Sequence, residues 1–513
     1  MSPQTLQHLL PEIVLVAVAV SIYVAGAFVD ARREWSWIAG AGILLAACGL
    51  AMPGGSADGS LIADSLALYA RWVALALGGL FVLLASRPLR ESTSEYVGSL
   101  LLTIAGLMLV AGAGELVLLF VGLELVSIPT YILLYLGRRD PGGEEATAKY
   151  FFLSILASAM LVYGFALLYG TAGSTDLSAI RAAFCGPGSP AAAFAALSKV
   201  ATVLILAGLG FKIAAVPFHF YAPDVYQGTS HANAALLSVI PKAAGFVALL
   251  RVVVASMPPM PGVEPYVWRV VVVLAVLTMC VGNVLALWQE NLRRLLAYSS
   301  IAHAGYMLIG LAVALVQGHA DGAGALLFYF CVYAAATVGT FAALDYLGRS
   351  ERQLDAVEEL AGLGRTRPLA AAALAVFMFS LTGIPPLAGF WGKLAVFASA
   401  LNVDPGSEAA GSLGLWYVVL AVIGVLNAAV AAAYYLRIVA VMYFRTPLAV
   451  PKAEGGPGAA CAMVVCVVLV IAIGLFPGPL MHQSDEAGRD AVTLETAHYS
   501  QYERPPTAVG GVR

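Results

Sequence analysis

Fourteen apolar segments follow one another along this chain of 513 residues, and they dominate what it can fold into. The hydrocarbon core of a bilayer is about 30 Å thick, so a helix that rises about 1.5 Å per residue needs roughly 20 apolar residues to cross it. Lipid offers the backbone no hydrogen bonds, so such segments fold as helices. The predicted cores are 9–29, 36–52, 66–85, 98–113, 115–136, 146–169, 199–217, 233–255, 267–288, 295–316, 323–347, 368–402, 414–441 and 459–480. The pattern predicts an all-α, polytopic membrane bundle of about 14 transmembrane helices.

The composition excludes a sizeable soluble domain. Hydrophobic residues make up 61% of the chain and charged residues 11%, whereas soluble proteins carry about 25% charged residues. The segment 9–29 has no basic region before it and no small-residue cleavage site after it, which indicates a retained helix rather than a signal peptide. The six cysteines form no CxxC pair, and neither a dinucleotide fingerprint nor a P-loop occurs. We therefore expect no cofactor and no metal in this chain, and lipid rather than nucleic acid around it.

Basic residues predict the orientation of the bundle. They collect in alternate loops, which the positive-inside rule places in the cytoplasm. The basic residues of these loops are Arg32, Arg33, Arg87, Arg90, Arg138, Arg139, Arg293, Arg294, Arg349, Arg352, Arg365, Arg367, Arg445 and Lys452. The opposite loops are nearly bare, with Arg181 and Arg269 as the exceptions. Both termini are therefore predicted on the outer face.

Two lysines interrupt neighbouring apolar segments in the stretch GLGFKIAAVPFHFYAPDVYQGTSHANAALLSVIPKAAGF, residues 208–246. The second of them, Lys242, lies roughly 14 Å from the start of its segment and so near the bilayer centre. A charged, unpaired lysine there costs roughly 3 kcal/mol or more, so it needs water, a carboxylate or a neutral state. Pro217 and Pro241 each remove a backbone donor, which predicts a helix break near each lysine. A proton or ion pathway explains Lys212 and Lys242 better than pairing with bundle carboxylates for assembly alone.

A second combination of lysine and helix break occurs in GIPPLAGFWGK. Pro385 and Pro386 should split the long segment 368–402 into two half-helices, and Lys393 follows the break. Broken segments at corresponding positions of two halves are typical of inverted repeats. If each repeat contains five segments, both breaks fall in the fourth segment of their repeat. Because five is an odd number of membrane crossings, the second repeat is inverted relative to the first. The predicted organisation is an N-terminal three-helix segment, a first five-helix repeat, a second five-helix repeat, and a last helix with a polar tail, at 1–97, 98–256, 257–445 and 446–513.

Glu124, His219 and His303 are further candidates for such a pathway. Glu124 is about nine residues into its segment and therefore near mid-membrane. It could be a neutral acid bonded to a neighbouring helix, but a lysine within about 4–6 Å would keep it ionised, and we predict a buried pair with Lys212. His219 and His303 are candidate proton relays because imidazole titrates near neutral pH, although a lone histidine is more often a hydrogen-bonded core residue. His219 has the stronger case because Pro217 and Asp224 are near it in sequence.

Other charged residues have structural interpretations. Lys149 lies at the cytoplasmic end of its segment and could extend its ammonium to water. Glu115 is predicted to be an interfacial cap, and Arg71 and Arg251 are predicted to be structural or interfacial.

Three extramembrane pieces can also be interpreted. The motif LDAVEEL, residues 354–360, predicts a short surface helix. The connection 221–233 has no basic residue although it falls on the cytoplasmic side, so we expect it to fold back into the protein. The polar tail 482–513 is predicted to be mobile.

Three long motifs resemble subunit N of bacterial respiratory complex I, NADH:quinone oxidoreductase, in the antiporter-like subunit family. In order, they are FKIAAVPFHFYAPDVYQG, NVLALWQENLRRLLAYSSIAHAGYMLIG and SLTGIPPLAGFWGK. The resemblance covers residues 100–480, and the PDVYQG form is similar to subunit N rather than to the sister subunits L and M. After Gly228 the chain departs from the family, which usually has an AP-x-PV stretch where this chain reads TSHANAAL.

The resemblance implies a proton-conducting subunit without redox chemistry of its own. It implies that quinone is reduced elsewhere in the complex, that the other membrane subunits of complex I are partners, and that the chain lies in a bacterial inner membrane. Onto this chain it carries a proton-path glutamate and lysines at Glu124, Lys212, Lys242 and Lys393, and relay positions at Lys149, His219 and His303. The alternatives are a subunit of an Mrp-type cation/proton antiporter, which shares the fold, and a structural scaffold. Several costly ionisable groups in lipid argue against the scaffold.

Overall fold

The computed structural model describes residues 3–29, 34–52, 60–86, 92–185, 195–256, 266–316, 319–348, 354–403, 414–447 and 453–493. Some of the residues used to predict the orientation lie outside these ranges, namely Arg32, Arg33, Arg87, Arg90, Arg349, Arg352 and Lys452. The tail from residue 494 onward lies outside them as well.

Within these ranges the chain is helical. The helices are α1 (Pro3–His8), α2 (Leu10–Gly26), α3 (Glu34–Ala51), α4 (Ser65–Leu84), α5 (Thr93–Ala111), α6 (Leu116–Gly137), α7 (Pro141–Ala172), α8 (Leu177–Cys185), α9 (Ala195–Ile213), α10 (Ala222–Gly228), α11 (His231–Leu249), α12 (Tyr266–Leu287), α13 (Leu292–Ala314), α14 (Asp321–Leu347), α15 (Leu363–Thr366), α16 (Pro368–Thr382), α17 (Ala388–Leu401), α18 (Gly414–Phe444), α19 (Gly456–Leu475) and α20 (Gly478–Thr493). A π-helix, Leu250–Ser256, extends α11, and a 3-10 turn at Val357–Leu360 precedes α15.

The predicted membrane bundle is confirmed. Eleven of the described helices are long and apolar enough to cross a bilayer: α3 to α7, α11 to α14, α18 and α19. The shorter apolar helices are α2, α16 and α17, and α9 is a further apolar helix. Because α16 and α17 share one predicted segment, these helices match all fourteen segments.

Three helices form the centre of the bundle. The apolar stretches of α11 and α13 are wholly buried, and that of α14 is 94% buried, whereas α3 and α18 bury only 33% of theirs. A helix that is apolar all round and packed on every side lies inside a bundle, and one that buries a third of its surface faces lipid. Polar side chains on α11, α13 and α14 are therefore shielded from lipid by the outer helices.

The helix breaks beside Lys212 and Lys393 are present. The first separates α9 from α10, and the second separates α16 from α17. The predicted break at Pro241 is wrong, because α11 passes through this residue without interruption. A proline inside a membrane helix is tolerated where its surroundings satisfy the freed backbone group, and α11 is enclosed by other helices along its whole length.

The extramembrane pieces differ in how well they were predicted. The connection 221–233 folds back into the protein as expected, and most of α10 is buried. The LDAVEEL motif forms a short helical element, a 3-10 turn at Val357–Leu360, in which Val357 and Leu360 are buried. The mobile-tail prediction is wrong as far as residue 493, because α20 packs against α4 and α14 and Asp490 accepts a 2.8 Å hydrogen bond from the Ser65 amide. The apolar residues of α20 are few but lie on one face, which is enough to dock a surface helix.

Arg71 and Arg251 form structural ion pairs, as one of their interpretations predicted. Arg71 donates to Glu12 at 2.5 Å. Arg251, next to the junction of α11 and its π-helix, donates through both terminal nitrogens to Asp64, with 2.7 Å from Nη2 to Oδ1. Asp64 also caps α4 by accepting a 2.8 Å hydrogen bond from the Ala67 amide. One carboxylate therefore joins the end of the central helix to the start of α4.

Candidate functional site

Lys212 and Glu124 meet inside the bundle. The ammonium nitrogen lies 3.9 Å from Oε1 of the glutamate, so the predicted close pair is present. The lysine side chain is 2% exposed and the glutamate side chain 21%. Since direct N–H···O hydrogen bonds measure about 2.7–3.2 Å, this is an ionic contact without a direct hydrogen bond.

Three serines surround this pair. The Lys212 ammonium donates to Ser127 at 2.6 Å and to Ser154 at 3.3 Å. Ser158 donates to Oε1 of Glu124 at 2.5 Å. Ser127 follows the glutamate by three residues on α6, and the other two serines are four residues apart on α7, so each set lies on one helix face. Because a hydroxyl both donates and accepts, the serines supply a hydrogen-bonded route beside the 3.9 Å gap.

The backbone at the break after α9 is held by residues other than its lysine. The Tyr221 hydroxyl donates to the Phe211 carbonyl at 2.9 Å. The Val216 amide donates to the Thr278 hydroxyl at 3.0 Å. The turn itself passes through Ala214 at a φ of 57°. The lysine side chain is thus free to face the carboxylate.

Lys242 lies on α11 and binds a serine of α13. Its ammonium donates to the carbonyl and to the hydroxyl of Ser300, both at 2.5 Å. Tyr333 on α14 donates to the same hydroxyl at 2.9 Å. No carboxylate among the described residues acts on this ammonium. Oxygen dipoles, rather than an opposite charge, therefore surround the most central lysine.

His303 lies on α13, one turn after that serine, and both of its ring nitrogens meet tyrosine hydroxyls. Nδ1 is 2.6 Å from the hydroxyl of Tyr329, and Nε2 is 2.9 Å from that of Tyr435. The ring is 2% exposed and lies within electrostatic range of both Lys242 and Lys393. This arrangement fits a relay between the lysines and also fits a hydrogen-bonded core histidine.

Lys393 lies on α17 and binds the end of α16, the other half of the same broken helix. It donates to the carbonyls of Leu381 and Thr382 at 2.9 and 2.8 Å. In an unbroken helix these two carbonyls would accept from the amides of residues 385 and 386, and both of those residues are prolines. The ring of Tyr306 lies 5.3 Å from the ammonium, within the range of a cation–π contact. The lysine therefore replaces the donors that the proline pair removes.

A polar cavity of about 310 Å³ opens where the starts of α7 and α13 meet α10. We call it the Arg138 cavity, and it is lined in part by Arg138, Lys149, Asp224, Gln227, Arg293 and Asp355. Lys149 is 40% exposed here and pairs with Glu145 at 2.7 Å and with Asp224 at 2.9 Å. As the sequence suggested, its ammonium reaches the polar edge of the bundle.

Asp224, which is near His219 in sequence, binds two cations instead of this histidine. The carboxylate oxygens of Asp224 accept from Lys149 and from Arg294, at 2.9 and 2.6 Å. Partial burial raises the pKa of Asp224, but the hydrogen bonds and charges of these two cations outweigh burial and hold the pKa below its usual value. Two cations compete for this carboxylate better than a neutral imidazole. Nδ1 of His219 has no hydrogen-bond partner among the described residues.

Hydroxyl groups are the part of the site that sequence reasoning missed. The serines and tyrosines that bind the predicted residues are Ser127, Ser154, Ser158, Ser300, Tyr329, Tyr333 and Tyr435. A signal existed in the spacing, since two of these serines and two of these tyrosines recur four residues apart. Spacing identifies a common helix face, but only the packing shows which lysine that face meets.

Residues 113–432 match the family described as NADH:quinone oxidoreductase/Mrp antiporter, TM. NADH-quinone oxidoreductase subunit N from Trichlorobacter lovleyi is 38% identical, over 86% of this chain and 88% of the relative. NADH-quinone oxidoreductase subunit N 1 from Solibacter usitatus is also 38% identical, over 93% of this chain and 96% of the relative.

Two solved assemblies contain similar chains. A chain of respiratory complex I from Thermus thermophilus with bound Aureothin is 35% identical, with a TM-score of 0.75 over 92% of this chain and 98% of that one. A chain of the Mrp complex from Dietzia has a TM-score of 0.78 over 96% and 98% of the two chains, but it is only 22% identical and therefore shows the shared fold alone.

Proposed function

The chain belongs to the family of NADH-quinone oxidoreductase subunit N, antiporter-like membrane subunits, and from this premise we propose that it translocates protons. Glu124, Lys212, Lys242 and Lys393 carry the protons, while quinone is reduced elsewhere in the complex. The chain contributes to the enzyme as a translocating, non-redox subunit. We propose that the redox centres and cofactors of the complex belong to other subunits.

The burial of three lysines carries this proposal. Lys212, Lys242 and Lys393 are 3, 1 and 5% exposed. Desolvating an ammonium in such surroundings costs several kcal/mol, so three buried lysines carry an energetic cost that packing alone does not require. Lysine can change its protonation state when desolvated, which arginine cannot. Three buried lysines supported by hydroxyls and carbonyls suit stepwise loading and release of protons.

Each group has a different part in the proposed transfer. The Glu124–Lys212 pair stores one proton in a buried ion pair. Lys242 is the central switch, because like charges in a poorly solvated core repel, so protonating it disfavours a proton on Lys393. His303, bonded on both sides and within electrostatic range of both of these lysines, relays between them. Lys149 in the Arg138 cavity is a further relay.

His219, at the break after α9, is the remaining proposed relay. Because His219 does not bind Asp224, only its position at the helix break supports its proposed role as a proton relay.

The assembly around the chain follows from the same family membership. The relatives are subunits of a redox complex, so we infer that other membrane subunits of complex I are its partners, with lipid around the rest. We place the chain in a bacterial inner membrane with both termini outside, and the Arg138 cavity on the cytoplasmic side. The two five-helix repeats, 98–256 and 257–445, are inverted relative to each other, which puts one broken helix in each.

Copurification separates this function from that of an Mrp-type antiporter. An affinity tag on this chain should recover redox subunits that oxidise NADH with a quinone acceptor. Recovery with other antiporter-type subunits only, without NADH oxidation, would contradict the proposal. The family match alone fits either group, whereas the two relatives that cover most of the chain are both named as subunit N.

Lys242→Arg tests the switch. The guanidinium keeps the positive charge but does not release its proton at accessible pH. We expect the complex to assemble and to lose most of the proton transport contributed by this subunit, measured as NADH-driven uptake in reconstituted vesicles. Full transport by the assembled variant would leave Lys242 with a structural role only.

A further inference from the structure

A buried histidine outside the proposed pathway lies where the sequence departs from its family. His231 is the first residue of α11 and is 0% exposed. Neither ring nitrogen makes a hydrogen bond of good geometry with a described residue, although the Leu354 backbone carbonyl lies within hydrogen-bonding range of the ring. A single carbonyl can serve only one of the two ring nitrogens, and a buried nitrogen without a partner is commonly satisfied by ordered water. Polar groups approach the ring from two sides.

On one side, His231 adjoins the Arg138 cavity. Thr229 is 1% exposed, its hydroxyl has no hydrogen-bond partner among the described residues, and its carbonyl accepts from Arg293. Arg293 lines the cavity and also pairs with Asp355, which lines it too. Both Arg293 and Arg138 act electrostatically on the imidazole. The ring is thus close to the polar groups that form the inner wall of the cavity.

On the other side, a stripe of α14 leads from His231 toward Lys242. The imidazole lies 6.4 Å from the ring of Phe341. Thr337 and Tyr333 precede this phenylalanine by one and two helical turns, so all three share a face of α14. The hydroxyl of Thr337 is 4% exposed; it makes no hydrogen bond of good geometry among the described residues, but it lies within hydrogen-bonding range of the Tyr333 hydroxyl. The stripe ends at the hydroxyl of Tyr333, which is already bonded to the serine that binds Lys242.

We propose that this line is a proton inlet from the Arg138 cavity to Lys242, with His231 as its titratable member. Ordered water joins the hydroxyls of Thr229 and Thr337 to the imidazole, since each buried polar atom there needs a partner. A proton from cavity water binds one ring nitrogen, and the proton on the other nitrogen leaves toward Thr337. Each hydroxyl then accepts one proton and passes on its own, until a neutral Lys242 amine becomes an ammonium.

The proposal rests on proton transport through Lys242, so the experiment compares the two directly. In the reconstituted full complex, NADH-driven proton uptake and NADH oxidation are measured for His231→Gln and Lys242→Gln. Glutamine keeps hydrogen-bonding groups but does not carry a proton at accessible pH. We expect His231→Gln to lose as much proton uptake per NADH as Lys242→Gln does, with the assembled complex recovered in normal amount. The matched control is His319→Gln, a half-buried histidine beside Asp321 at the other end of the bundle, which should leave uptake unchanged.

Each result has one meaning. Full uptake by His231→Gln together with a loss in Lys242→Gln overturns the inlet and leaves the proposed function intact. Full uptake by both variants overturns the inlet together with the proposed role of Lys242 in proton transport. If His231→Gln fails to assemble, Thr337→Val removes the hydroxyl at constant shape, and normal uptake by that variant likewise overturns the inlet. A uniform loss of both NADH oxidation and uptake in His231→Gln, with Thr337→Val normal, assigns His231 a structural role.

Discussion

The two broken helices of this protein each carry a lysine, but the lysines have opposite relations to their breaks. Lys212 turns away from its break to a carboxylate and two serine hydroxyls on other helices. Lys393 turns back onto its break and binds the two carbonyls that the proline pair leaves without donors. At the first break the backbone is completed by Tyr221 and Thr278 instead.

This difference shows that a lysine beside a helix break can be stabilised in two ways. An opposite charge stabilises the ammonium at the first break, so its proton affinity depends on a second titratable group. Fixed backbone dipoles stabilise it at the second break, so losing the proton also removes a structural cap. We therefore expect Lys212 to be coupled energetically to Glu124, and Lys393 to be coupled to the shape of its own helix.

The largest expected effect distinguishes the two lysines by stability. Lys393→Met should leave the carbonyls of Leu381 and Thr382 without their lysine donor, at a cost of about 1–3 kcal/mol each. Lys212→Met leaves the backbone of its break intact, and Glu124 can become neutral by binding a proton. Thermal unfolding of the purified complex should show the greater loss for Lys393→Met, and equal losses would contradict the comparison.

A smaller effect should appear in a double-mutant cycle at the first break. Glu124→Gln combined with Lys212→Met should be less destabilising than the sum of the single changes, with a coupling of about 1–3 kcal/mol, because the two groups share one contact. Glu145→Gln is the control, since that carboxylate is 65% exposed and pairs with Lys149. Its change should add to Lys212→Met within about 0.5 kcal/mol. Additive behaviour of Glu124 and Lys212 would show that the 3.9 Å contact contributes nothing.

The smallest effects concern the backbone of the two turns. Gly383, at a φ of 94°, follows α16, and a Cβ there would lie 3.0 Å from Cδ of Lys393. Gly383→Ala should therefore cost about 1–2 kcal/mol, because left-handed backbone is strained for other residues. Ala214 at the first break already has a φ of 57°, so Ala214→Gly should cost less than Gly383→Ala or be stabilising. Unfolding midpoints of the two variants that shift in the same direction by the same amount would contradict this.

The sequence predicted the bundle well because segment length and hydropathy are local properties. It also located the breaks at Pro217 and at Pro385–Pro386, where proline occurs close to other helix-weakening residues. It failed at Pro241, because the outcome there depends on the helices that enclose α11. No local pattern reports that enclosure.

In the candidate site, too, local features could be predicted from the sequence and features that depend on packing could not. The pairing of Glu124 with Lys212 could be predicted because a buried carboxylate needs a cation and few were available in the apolar segments. Asp224 had more than one cation within reach once α10 folded back, so its association with His219 could not be decided from nearness in sequence. The serine and tyrosine ligands were missed because any of several helix faces could have carried them inward.

The pairing of Arg251 with Asp64 limits how the helix of Lys242 can move. Nine residues beyond that lysine, the helix is fastened by two hydrogen bonds to a side chain that also caps α4. Sliding α11 along its axis would break both bonds and leave the first turn of α4 without its cap. The backbone of this helix is therefore held in place at one end. We expect a proton that arrives at Lys242 to act through rotation of the lysine side chain and rearrangement of the hydroxyls around it, while the backbone stays where it is.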